Sequence, residues 1–121
     1  MVTEDYVSFE TAKLLKEKGF DEECKRRYNC RGELSRVDSM VYMNSHRDMQ
    51  DKYIAPTLQM AMKWLREVYC LFIDIEPLTG ITYAWSIWLM NESKKGESSL
   101  VYNTYEQATE AAIKYCLENL I

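Results

Sequence analysis

The sequence predicts an α+β fold, a small antiparallel sheet with two or three helices packed mainly on one face in a two-layer arrangement. Three observations predict it. Leu58, Ala61, Met62, Leu65, Val68 and Tyr69 fall within one stripe at helical spacing, with Lys63, Arg66 and Glu67 off it. Two stretches that alternate with period two follow, CLFIDIE and ITYAWSIWLMN, separated by PLTG. Finally, Thr104-Tyr-Glu-Gln107 has the form of a capping box and opens a last amphipathic helix.

The earlier elements follow the same logic. Ser8 is a natural N-cap for a helix to Lys18, with Glu10 in its first turn and Gly19 as its stop. Phe9, Ala12 and Leu15 share a face, Leu14 lies at its edge, and Phe20 is placed to fold back. Residues 21–52 are the least legible. Arg31-Gly32 suggests a hairpin turn between Tyr28 and Leu34 or Val37, and 44–52 reads as a polar loop.

Pro56 suits the first turn of the central helix. Trp64 falls at the edge of its apolar stripe and Met60 outside it, which makes Trp64 a seal on the core and Met60 a candidate contact residue. In the strands, Leu71, Ile73 and Ile75 share one face, as do Ile81, Tyr83, Trp85, Ile87 and Leu89. The opposite face carries Phe72, Asp74 and Glu76 with Ala84, Ser86 and Trp88. SKKGE is expected to be a turn and SLVY a third strand. In the last helix, Tyr105, Ala108, Ala112, Ile113, Cys116 and Leu120 form the inner face, and Gln107, Glu110, Lys114 and Glu118 the outer one.

A chain of 121 residues, 47% hydrophobic and 28% charged, has the size and composition of a single globular domain, 1–121. No apolar run reaches the roughly 20 residues that span a bilayer, and MVTEDYVSFE has no signal-peptide pattern, so a cytoplasmic protein without membrane contact is expected. Cys24, Cys30, Cys70 and Cys116 form no CxxC pair and are expected to be free thiols, Cys70 and Cys116 in the core. A metal site joining Cys24, Cys30 and His46 lacks the paired spacing of structural zinc.

The net charge of −4 hides a positive middle: +5 over residues 25–66, between −4 before it and −5 after it. Lys25, Arg26, Arg27, Arg31 and Arg36 are a candidate nucleic-acid patch, or a solvated hairpin paired with its acidic flanks. An acidic chain is poorly suited to nucleic acid, which makes that partner the weaker alternative. His46 lies near Asp48 and Asp51, but no nucleophile or oxyanion site accompanies it. Asp74 and Glu76 share a strand face without a third cation ligand. No nucleotide-binding, hydrolase or metalloprotease motif is present, and no catalytic residue, metal or cofactor is assigned.

SFETAKLLKEKGF (8–20), IAPTLQMAMKWLREVY (54–69) and TYEQATEAAIKYCLENLI (104–121) carry a resemblance. They resemble a family of small uncharacterised proteins of gut anaerobic bacteria and their phages and mobile elements. The APT…WLRE segment is its most specific part, and residues 21–52 do not match. The resemblance implies an intracellular accessory protein and supplies no catalytic residues. The expected function is a non-enzymatic interaction module with a protein partner or a second copy of itself, contacting through Met60, Phe72 and Trp88. Phe72 and Trp88 are available only if residues 21–52, with Tyr42 and Met43, leave that sheet face open. Burial worth roughly 1.5–3 kcal/mol per side chain favours a covered face. Nucleic-acid binding through the basic segment and a small enzyme centred on His46 are the alternatives.

Overall fold

A computed structural model describes residues 2–35, 53–90 and 93–121. Arg36, Val37, Tyr42, Met43, His46 and the polar loop 44–52 lie outside the described residues. The elements are α1 (Phe9–Glu17), β1 (Arg27–Tyr28), β2 (Tyr53–Ile54), α2 (Leu58–Tyr69), β3 (Leu71–Leu78), β4 (Thr82–Leu89), β5 (Lys94–Glu97) and α3 (Tyr105–Tyr115), which ends in a π turn, Cys116–Leu120. They build an α+β fold with a three-stranded antiparallel sheet, β3-β4-β5, and a two-stranded one, β1-β2.

α1 begins and ends as its sequence dictates. The Ser8 hydroxyl accepts from the Thr11 N–H at 3.2 Å. At the other end the Gly19 N–H bonds Lys16 O and the Phe20 N–H bonds Leu15 O, the doubly bonded stop that needs Gly19 at φ +91°. That stop turns Phe20 back onto Trp64, ring centroids 5.2 Å apart and edge to face. Asn29 to Glu33 form the tight turn expected around Arg31-Gly32, closed by the Asn29 N–H on Glu33 O, and Tyr28 bridges Leu34. β1 then pairs with β2 across the undescribed stretch.

α2 starts two residues after Pro56, not at it. Thr57 is the N-cap, its hydroxyl accepting from the Met60 N–H at 3.1 Å, while the Pro56 carbonyl accepts from the Val7 N–H. Its buried face is Leu58, Ala61, Met62, Trp64 and Leu65. Val68, expected in the core, is 55% exposed, and Trp64 is 8% exposed. The buried stripe is rotated towards Trp64 because Phe20 and Tyr69 pack on that flank of the helix. Cys70, expected in the core, is exposed; it is the left-handed C-cap at φ 57°, outside the packed layer. Cys116 is buried, and desolvation pushes its thiol up to about 12.

β3 and β4 form an eight-residue hairpin in register Leu71↔Leu89 to Leu78↔Thr82. Pro77 lies within β3, opposite Tyr83, and the reversal is Thr79, Gly80 and Ile81. Gly80 and Ile81 both have positive φ, so Ile81 belongs to the turn and not to the strand.

SKKGE and SLVY exchange their expected roles. Lys94–Glu97 is the third strand, with Ser86↔Glu97, Ile87↔Gly96 and a bulge before Trp88↔Lys94. Gly96 marks a close approach here: a Cβ on it would sit 2.8 Å from a ring carbon of Tyr115. In SLVY only Tyr102 pairs, exchanging two 2.8 Å bonds with Tyr83, while Leu100 and Val101 are exposed.

α2 and α3 cover the same side of the sheet. The core joins Ile73, Trp85 and Ile87 to Leu65, Ala61, Ala108, Ala112 and Ile113. Thr104 caps α3 through the Gln107 N–H at 3.0 Å. The π turn carries Leu117 into the core beside Cys116 and leaves Leu120 half-buried. The polar side of α3 receives α1. Glu110 Oε1 accepts from the Ser8 N–H at 2.7 Å and from the Thr11 hydroxyl at 2.9 Å, at the positive end of that helix. Lys114 pairs with Glu10 at 2.7 Å, which holds the Glu10 carboxyl below the usual range.

Candidate interaction surface

Alternation along β3 and β4 sorts side chains onto two faces of the sheet. The inner set is buried under α2 and α3; no described element packs on the outer set. Phe72 and Trp88 lie directly opposite each other there, 41% and 40% exposed. Trp88 is held from two sides: its indole N–H donates to Ser86 Oγ at 3.2 Å, and Lys94 Nζ stands 5.4 Å from the ring centroid. Lys94 also pairs with Glu97 at 2.8 Å, and that bond holds the Glu97 carboxyl below its ordinary range. Asp74 and Glu76 are exposed on the β3 side of the same face.

The hydrogen-bond pattern also fixes where the backbone points. Odd residues of β4 bond towards β5: Tyr83 exchanges bonds with Tyr102, and the Trp85 carbonyl accepts from the Ser98 N–H. Even residues therefore bond towards β3, as the Met90 N–H does on Cys70 O. On β3 it follows that Phe72, Asp74 and Glu76 bond β4, while the N–H and C=O groups of Leu71, Ile73 and Ile75 point to the outer edge. No described segment pairs with that edge. Pro77 is also an outward position, so its missing N–H removes no ladder bond.

Met60 belongs to a different surface. It projects from the helix layer, 40% exposed, with its sulfur 3.5 Å from the half-buried Cys24 thiol. Together with Glu22, Glu23, Lys63 and Trp64 it lines a depression of about 380 Å³. Desolvation raises the Cys24 thiol, against a smaller lowering by Arg27. The structure thus joins Phe72 to Trp88 and separates both from Met60.

The basic segment does not converge. Arg26 lies over the Tyr6 ring at 5.0 Å, its Nε buried without a partner. Arg27, the next residue on the strand, lines a separate depression with Lys16 and Asp21. Lys25 is exposed, and Arg31 is exposed in the turn that Asn29 organises. Arg36 and His46 lie outside the described residues.

A depression of about 680 Å³ runs between the N-terminal segment and α3, past Asp5, Tyr6, Ser8, Glu106, Glu110 and Lys114. Of its charged groups, Glu110 and Lys114 are committed to the α1–α3 contact, and Glu110 Oε2 is buried without a partner. Among the described residues, no group of three or more His, Cys, Asp or Glu is placed to hold a metal ion. No helix among them is long and apolar enough to cross a membrane.

Sequence reasoning identified Phe72 and Trp88 by parity and expected an open sheet edge, without saying which strand carries it. The signal for β3 was Pro77, a proline in an alternating run, which marks an edge strand. Comparison with known protein families, curated proteins and solved structures finds no match.

Proposed function

We propose that the chain is a non-enzymatic interaction module that works in the cytoplasm through protein contacts, made at the outer face and free edge of the β3-β4-β5 sheet. The observation that carries this reading is the Phe72–Trp88 pair, about 40% exposed beside a strand edge that no described segment pairs with. Covering such side chains is worth roughly 1.5–3 kcal/mol each, and a strand added at the edge supplies directional hydrogen bonds. Four cysteines that remain free thiols support a reducing compartment. The resemblance of the three helical segments supports an accessory role in a phage or mobile element. A nucleic-acid role through Lys25, Arg26, Arg27 and Arg31 has weaker support, because Arg26 and Arg27 serve separate surfaces.

The test is a photo-crosslinking amino acid placed at Phe72, and separately at Glu17 on the exposed side of α1, in the full chain in cells. The expected result is a discrete protein adduct from position 72, identified by mass spectrometry, and none from position 17. No adduct at either position, with the chain folded, overturns the reading.

A further inference from the structure

The outer edge of β3 has a pattern that suits one partner in particular. The outward backbone groups are those of Leu71, Ile73 and Ile75, bounded by Pro77, so a pairing strand has five residues, 71–75, to match. We infer that this partner is a second copy of the chain, its β3 running antiparallel about a two-fold axis at Ile73, so that the two three-stranded sheets become one. The inference rests on the protein-contact reading above and names the partner.

The choice of axis follows from chemistry. In an isologous antiparallel pair, residue i faces j and j faces i. Only odd residues direct their backbone groups to the outer edge, so the axis passes through an outer-face pair or through an outward one. An axis at Asp74 sets two carboxylates face to face across a close pair. An axis at Ile75 sets Asp74 against Glu76 and directs Ile73 at Pro77, which has no N–H to give. An axis at Phe72 leaves only 71–73 to pair, because Cys70 is the left-handed cap of α2. The axis at Ile73 has none of these faults. Ile73 meets Ile73, and Leu71 meets Ile75, all on the inner side that each copy already covers with α2 and α3. On the outer face Phe72 meets Asp74, and no like charges are opposed.

The far edge of the sheet is closed to this use. β5 is four residues long, carries two lysines and is bulged, all features that discourage strand addition. Pairing therefore stops at two copies instead of growing into a filament.

The test exploits the Phe72–Asp74 opposition. Light scattering of the full chain, from about 1 to several hundred µM, is expected to show a shift from 14.3 kDa to twice that mass. F72D opposes two pairs of carboxylates and is expected to weaken association about tenfold. F72K removes the same aromatic ring but opposes lysine to Asp74, and is expected to keep the dimer, as is F72D/D74K. Circular dichroism confirms that each variant is folded. A chain that stays monomeric throughout overturns the self-pairing; the crosslinking experiment then decides separately whether the interaction reading survives. A dimer lost equally in F72D and F72K overturns the register at Ile73, because the Phe72 ring itself then makes the contact. A dimer that no variant disturbs overturns both the edge and the register.

Discussion

Trp85 and Trp88 sit three residues apart on the same strand, yet they live in different environments. Trp85 is 6% exposed, its ring 5.0 Å from that of Tyr115 and tilted to it, beneath α3; Trp88 is 40% exposed, with Phe72 opposite it and Ser86 and Lys94 beside it. The sheet that separates them has one face buried under α2 and α3 and one that no described element covers. Composition does not distinguish the two faces, since both carry aromatic side chains. What distinguishes them is what the rest of the chain has to cover: α2 and α3 hide one face, and no described element hides the other.

Substitution of the two tryptophans breaks this comparison most directly. Trp85→Ala is expected to cost about 3–5 kcal/mol in urea unfolding, because it empties a site packed on all sides. Trp88→Ala is expected to cost about 1 kcal/mol or less in the isolated chain. Equal losses would mean that Trp88 is covered from within the chain.

The same division applies on α2. Trp64, buried between Phe20 and Tyr69, is expected to lose about 3 kcal/mol or more on replacement by alanine. Met60→Ala is expected to change the midpoint little, since the residue is 40% exposed. A smaller effect is expected at the inner edge. Gly96→Ala forces the Tyr115 ring aside and should cost about 1–3 kcal/mol, with Lys95→Ala as a near-neutral control.

The smallest effect is electrostatic and lies on the outer face. Lys94 lowers the folded-state pKa of Glu97, so the pair stabilises the fold above the carboxylate's unfolded pKa. That contribution fades as pH falls through about 4 and below, and added salt weakens it. Because both groups are exposed, Glu97→Gln is expected to leave the neutral-pH midpoint nearly unchanged while flattening a shallow acid dependence. A large loss at neutral pH would show that the outer face contributes to stability after all.

Alternation and capping made much of this legible in the sequence. Strict parity in 71–76 and 82–89 is enough to sort Ile73 from Phe72 and Trp85 from Trp88, because a strand has only two faces. Ser8, Thr104 and Gly19 announce helix ends through local hydrogen bonds that need no distant partner. What escaped depends on distant partners. Trp64 outranks Val68 only because Phe20 returns to that flank, and a helical wheel contains no information about Phe20. Lys94-Lys95-Gly96-Glu97 reads as a turn until Tyr115, on another element, explains why the strand needs a glycine there. An open sheet edge was expected, but which strand carries it depends on sheet order, and Pro77 is the local hint that it is β3.

Amide hydrogen exchange across concentration tests the central claim, that the edge and outer face of this sheet are kept open for a partner. In the dilute chain, the Ile73 and Ile75 amides, which point to the outer edge, are expected to exchange much faster than that of Ser86, which is bonded within the sheet. On concentrating, the two isoleucine amides should slow by about tenfold or more while Ser86 stays as it was. Strong protection of Ile73 and Ile75 already in the dilute chain would contradict the account, because the edge would then be occupied by the chain itself.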